Sequence, residues 1–513
     1  MQQPHNPERI PHHTTARIKD PGSTRSRLLA VLATIVGIVV VLGWQNLDET
    51  AQFALFGATP PQTPIDTQTP APGALGPSDI MARLYIRGRS LLVSQDEELA
   101  RSVVGYVDMT AASREDRVRA IIMSAEFVGA DEALARIGTL RDEILAQRRD
   151  EDADGGPFAE DPATTLLLDE LDALQRLYSH GRGALEQPMH DQLEARYGVL
   201  GRAATTHGLD DTHPDRAPAV TGFWTIALFF LAVGALALLA PVVGLVILIF
   251  GIVSFTNRRG GLMRFRAPAP GGSVYLETYA VFLLGFGVLA IGTTALAALA
   301  DPALAIVSLP LQWVLLLVPL WALARGTPNR SWRDALGLHR GAGIVREVWV
   351  GVLAYIACVP LYYASVVFTA VLVVLAESIR AASNPSADPE PLPANPILEI
   401  IARGDALILV ILFTLATVWA PIVEELIFRG ALHRHLRART HWIGAALISA
   451  VLFAFMHSYG ALFVAPLITL GFAFSFVREW RGSIIAPITM HFVHNATLMT
   501  IMIVLVNLIS DPF

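Results

Sequence analysis

Apolar stretches long enough to cross a bilayer alternate with charged turns over much of this chain, and one long polar stretch interrupts them. The first apolar run is Leu28–Trp44. Arg9, Arg17, Lys19, Arg25 and Arg27 precede it, and Asp48 and Glu49 follow it. The positive-inside bias therefore predicts a cytoplasmic N-terminus and sends the following segment outside. No small-x-small cleavage site follows the run, so it reads as an uncleaved anchor in preference to a signal peptide. From Thr221 the chain is apolar almost to its end. Thr221–Phe255 is long for one span, since ~20 residues cover the hydrocarbon. It reads as one tilted helix bent near Pro241, with a hairpin as the rival. Arg258, Arg259, Arg264 and Arg266 follow it, which suits a single outside-to-inside crossing. Further spans read as Val274–Ala300, Ala303–Ala324, Val348–Ala376, Ala406–Phe428, Trp442–Tyr459, Ala461–Val477 and Ser483–Ile509, nine in all. The Arg-rich turns Arg325–Arg346, Arg434–Arg439 and Arg478–Arg481 then fall on the cytoplasmic side, and the Pro- and Asp-rich loop Glu377–Asp405 falls outside.

The polar stretch has a different period. After a Pro-, Thr- and Gln-rich segment, Gly57–Ser78, that reads as a stiff solvated linker, Asp79–Arg216 spaces Leu and Ile three and four apart. Ser94 with Glu97 and Ser113 with Asp116 form capping-box patterns, and Asp161-Pro162 supplies an N-cap with Pro at the first helical position. Five or six helices, stacked as hairpins, are expected there. The predicted fold is all-α: a polytopic helical membrane bundle with an extramembrane helical domain in its N-terminal half. Its parts are a cytoplasmic tail (1–27), an anchor (28–44), a Pro-rich linker (45–78), the outer helical domain (79–216), transmembrane helices (221–400) and a C-terminal core (401–510). Such a chain belongs in the cell membrane.

Composition agrees. Of 513 residues, 53% are hydrophobic and 16% charged, against about 25% charged in soluble domains. The formal net charge of -7 gives no reason to expect nucleic acid as a partner. A lone cysteine, Cys358, excludes an internal disulfide and a Cys-rich metal site.

Ionisable side chains in a membrane span are costly and usually mark function. Most spans here avoid them; the last ones do not. Pro421–Arg429 ends an apolar helix with Glu424 and Glu425 side by side. Neighbours on an α-helix diverge by about 100°, so the two carboxyls are expected to take separate tasks. Arg429 follows Glu425 by one turn and can pair with it, leaving Glu424 free as a base. The second break is His457, four residues after Phe453. The third is His491 with Asn495, four apart and hence on one helix face, where both can donate toward one point. His494 projects elsewhere and reads as structural. Each motif alone has an ordinary structural explanation: a helix end, a satisfied core histidine, a polar pair in a packed bundle.

Together, Glu-Glu-x-x-x-Arg, Phe-x-x-x-His and His-x-x-x-Asn in this order resemble the CAAX prenyl protease type II and bacteriocin-processing (CPBP, ABI) intramembrane protease family, over roughly residues 400–510. The resemblance implies an endopeptidase acting on a membrane-associated peptide or protein within the bilayer. Glu424 and His457 would activate water, His491 and Asn495 would hold the oxyanion, and Glu425 and Arg429 would support the helix. It also leaves a metal version open, in which Glu424, His457 and His491 would bind zinc with an open position. The His-Glu-x-x-His signature is absent, and the metal-free version is preferred. The Asp79–Arg216 domain lies outside the resemblance and reads as a packing or protein-partner module. Two other classes compete: a non-proteolytic membrane scaffold or bacteriocin-immunity-type protein, and a transporter using Glu424 in proton relay. Intact motifs disfavour the first, and the lack of internal repeats disfavours the second. One strain stands in this reading. At 1.5 Å per residue, Glu424 and His491 each lie ~15 Å from their cytoplasmic turns, but His457 lies ~24 Å from His441.

Overall fold

A computed structural model describes residues 19–47, 49–56, 77–89, 97–109, 113–153, 162–257, 263–300, 308–383, 401, 406–457 and 461–509. Every regular element among them is helical. Ser94, Asp161 and most of the Gly57–Ser78 and Glu377–Asp405 segments lie outside the described residues. Six helices are long and apolar enough to cross a membrane: Thr24–Gln45, Ala217–Ser254, Val274–Leu299, Ile344–Arg380, Ala406–Arg437 and Ile485–Leu508. The protein is thus an all-α, multi-pass membrane bundle. Three of the nine apolar stretches read from sequence do not join these six. Ser308–Ala324 and Trp442–Phe455 are too short, and Ser308–Ala324 is further broken by a 3-10 segment, Gln312–Leu320, that contains Pro319. The third, Ala461–Arg481, is a single helix of 21 residues. The Thr221–Phe255 stretch is one uninterrupted helix, Phe223–Thr256, with Pro241 inside it.

Two compact units form. One comprises Met1–Ala58, Ala240–Pro391 and Thr414–Asn495; the other comprises Thr59–Leu239, Leu392–Phe413 and Ala496–Phe513.

In the second unit, Pro77–Arg87, Glu97–Met109, Arg114–Phe127, Ala130–Ala153, Pro162–His180, Gln187–Tyr197 and Val199–Thr205 pack around Ile86, Val107, Val118, Ile122, Leu171, Leu174, Leu193 and Leu200. These pieces outnumber the five or six expected, because Gly198 (φ 57°) breaks one apolar run into two helices. Ser113 and Asp116 make the capping box read from sequence, each side chain accepting from the other's backbone nitrogen. A buried carboxylate sits in this core. Glu126 takes Nδ1 of His207 at 2.8 Å, Nε of Arg89 at 3.2 Å and the guanidinium of Arg216. Burial alone would raise its pKa, but the bonds from His207 and Arg216 outweigh this and hold the carboxyl below the ordinary glutamate range.

In the first unit, lipid offers no hydrophobic drive for helix association, so close approach must supply the contact. Small residues allow it. A Cβ on Gly37 would fall 2.7 Å from Leu283 Cβ, and one on Gly351 would fall 2.7 Å from the Ala486 carbonyl. Pro360 lacks an N–H for the Ile356 carbonyl one turn earlier. Gly244 packs onto that freed oxygen, where a Cβ would come within 2.2 Å. Around Phe428 the core is aromatic, with Tyr279, Phe282 and Phe453 edge-on to it at 5.5, 6.3 and 5.3 Å. On the charged side, the parallel bridge Lys19–Ala269 seats residues 19–23 against the 264–273 turn. Asp20 is paired there by Arg434 at 2.7 Å, and Glu479 is paired by His433 at 2.8 Å and Arg437 at 2.5 Å.

Candidate active site

The helix carrying both glutamates is not a regular α-helix. It is π-wound over Leu415–Trp419, α over Ala420–Glu424, and π again over Glu425–Leu432. π segments shift the hydrogen-bond ladder and commonly occur at functional sites. Two side chains from other helices serve the shifted carbonyls. Asn495 Nδ2 donates to Ala416 O at 2.7 Å, and buried Ser449 Oγ donates to Phe428 O at 3.3 Å.

Glu425 and Arg429 are both fully buried and paired at 2.8 Å, as the spacing predicted. The guanidinium also donates to Gly471 O at 3.1 Å. Its Cζ lies 4.4 Å from the Phe453 ring centroid, 5.1 Å from that of Phe474 and 5.8 Å from that of Phe428. A buried guanidinium is tolerated because a charge, a carbonyl and three ring faces replace its water.

His491 stands beside both glutamates. Its Nδ1 lies 3.1 Å from Glu425 Oε1, and its Nε2 lies 3.9 Å from Glu424 Oε2. One imidazole stands between both carboxyls because its nitrogens point to opposite sides and the helix leaves α winding at Glu425. Since Glu425 is the acceptor of Arg429, Nδ1 of His491 donates to it. Oε2 of each glutamate is buried with no hydrogen-bond partner among the described residues, but the Glu425 side chain is fully buried against Arg429 while that of Glu424 is 16% exposed. A buried orphan carboxyl oxygen calls for an explanation, and a reacting water is one.

His457 follows the end of Trp442–Phe455, and its Nδ1 donates to Phe453 O at 2.8 Å. That bond turns Nε2 away from the backbone. The helix carrying Glu424 runs on to Arg437 before it turns. The Arg429 guanidinium lies over the Phe453 ring, with Glu425 four residues before Arg429 and His457 four residues after Phe453. His494 is structural in its surroundings: Tyr355 hydroxyl lies 3.4 Å from Nδ1, and Tyr362 meets the ring edge-on at 5.4 Å.

The metal set named from sequence is Glu424, His457 and His491. Among the described residues no three His, Cys, Asp or Glu side chains are grouped to hold an ion. Sequence reasoning also missed Phe474, Gly471 and Ser449. A Phe, a Gly and a Ser inside apolar spans carry no signal until the fold sets them against Arg429, His491 and a π-wound carbonyl.

Residues 406–497 match the family described as type II CAAX prenyl endopeptidase, Rce1-like. No curated protein and no solved structure matches the chain.

Proposed function

Taking the match of residues 406–497 to the type II CAAX prenyl endopeptidase family as premise, we propose that the chain is an intramembrane endopeptidase in which Glu424 is the general base. One observation carries this reading: the orphaned Glu424 Oε2, 3.9 Å from an imidazole nitrogen whose opposite edge is fixed on Glu425. Water bound between Glu424 and Nε2 of His457 loses a proton to Glu424 and attacks the scissile carbonyl. The same carboxyl then protonates the leaving amine. His491 has a ring nitrogen for each side: Nδ1 donates to Glu425, and Nε2 donates to the oxyanion. Asn495 has a second amide hydrogen, beyond the one given to Ala416, for the same oxygen. Each such donor contributes about 3–4 kcal/mol. Glu425 and Arg429 hold the assembly in place. No step passes through a metal.

The substrate is a peptide or protein segment entering from the cytoplasmic half of the bilayer, and the Asp79–Arg216 helices are a packing or partner-binding module outside. The full chain in detergent, assayed on a quenched-fluorescent peptide library, should lose cleavage in Glu424→Ala and His457→Ala. Equal cleavage by wild type and both variants would sink the reading. A protease-cleavable tag within 150–160 should be cut only from outside intact cells or vesicles. Protection there would invert the topology.

A further inference from the structure

A single hydrogen bond at Nδ1 does not fix an imidazole. The ring turns about its Cβ–Cγ bond, a broad torsion that one hydrogen bond limits only loosely, and that rotation swings Nε2 through the space where Glu424 and the substrate carbonyl must meet it. Something has to hold the ring plane. Among the described residues, one side chain faces His491 flat. The Phe474 ring is stacked on it with centroids 5.2 Å apart and planes 26° from parallel, while Phe453 meets it edge-on at 5.9 Å and 80°. Phe474 is itself held, 1% exposed, in a cluster with Cys358, Leu470, Val477, Ala486 and Met490. The same ring lies 5.1 Å from Arg429 Cζ. One turn before it, on the same helix face, Gly471 gives its carbonyl to Arg429. A Cβ on Gly471 would fall 3.1 Å from Arg429 Nη2 and 3.0 Å from Ala450 Cα. The Ala461–Arg481 helix is therefore a wall on which both partners of Glu425 rest.

From this we infer that Phe474 is a positioning residue for His491: its ring face fixes the plane of the imidazole and so the direction of Nε2. The inference rests on the endopeptidase reading above. The residue acts through His491 and touches no reacting atom.

The test uses the full chain in detergent with one peptide that the wild type cleaves. Phe474→Met keeps volume but removes the flat face, and it should lower kcat about tenfold, the loss of roughly one aromatic contact, with KM within about twofold. Phe474→Tyr keeps the face and should restore most of kcat. Leu470→Ala opens a cavity in the same cluster away from the imidazole; it should lower the thermal midpoint at least as far as Phe474→Met and leave kcat near wild type. Wild-type kcat in Phe474→Met, or equal loss of kcat in Phe474→Met and Leu470→Ala, would overturn the inference. Glu424→Ala runs beside them. If it cleaves like wild type, the endopeptidase reading fails; if it is inactive while Phe474→Met is unimpaired, only the role of Phe474 fails.

Discussion

Asn495 Nδ2 lies 2.7 Å from the carbonyl oxygen of Ala416, bridging the last polar helix of the site to the π-wound segment before the glutamates. Removing this donor leaves a carbonyl in apolar surroundings without a partner, a cost of about 1–3 kcal/mol. Asn495→Ala should therefore lower the thermal midpoint. If the second amide hydrogen also meets the oxyanion, kcat should fall a further ~10²-fold or more. A drop in stability with kcat preserved would confine Asn495 to the backbone contact.

Glu424 should show the opposite balance. Its buried Oε2 has no partner among the described residues, so Glu424→Gln keeps the shape while removing a carboxylate from apolar surroundings. The thermal midpoint should hold or rise, while cleavage falls by about 10²-fold or more. Loss of stability without loss of activity would assign Glu424 to the scaffold.

The Glu425–Arg429 pair is wholly buried, so breaking it from either side strands a charge. Arg429→Met should destabilise by about 3–5 kcal/mol. The double variant Glu425→Gln/Arg429→Met should recover much of that stability without recovering cleavage, because His491 then lacks its carboxylate. Denaturation monitored by tryptophan fluorescence, with peptide turnover in parallel, separates the two effects.

Metal dependence is decided by solution chemistry. Nδ1 of His457 donates to a carbonyl and Nδ1 of His491 to a carboxylate, which is how ligating histidines are commonly oriented. Yet no three donors converge among the described residues. Cleavage is expected to survive strong chelators, with far less than one zinc per chain by elemental analysis. Loss of activity on chelation, restored by zinc, would require Glu424 to move toward the histidines as a ligand.

Outside the membrane, Glu126 gives a pH prediction. Its folded pKa is depressed, so its contribution to stability is present above the unfolded glutamate pKa of about 4.3 and is lost as pH falls through the folded value. Buried Glu170 works the other way, since burial raises its pKa. Protection from hydrogen exchange over 114–127 and 199–216, referred to the intrinsic rate at each pH, should fall as pH drops below about 4, and less so in Glu126→Gln than in wild type. Identical acid sensitivity in both would remove Glu126 as the cause.

The membrane class, the long helices and the Glu425–Arg429 pair were legible because each follows from local period: apolar length, or a spacing of one turn. The single helix through Pro241 was legible from the charges flanking it. The shared imidazole was not. Regular α winding assigns Glu424 and Glu425 to different faces, and nothing in Leu415–Leu432 announces a change of winding. The seat of Arg429 and His491 on Gly471 and Phe474 was equally silent, because those residues are ordinary in an apolar span and gain meaning only from the helix set against them.

The two π-wound stretches give this site a coordinate that no side chain carries. The angle between neighbouring glutamates is set by how tightly the backbone coils, and that coil is held open by Asn495 and Ser449, which stand on other helices. If the two glutamates do the work proposed for them, substitutions at those two clips should change the separation of the carboxyls while every residue of the Glu-Glu-x-x-x-Arg signature stays the same.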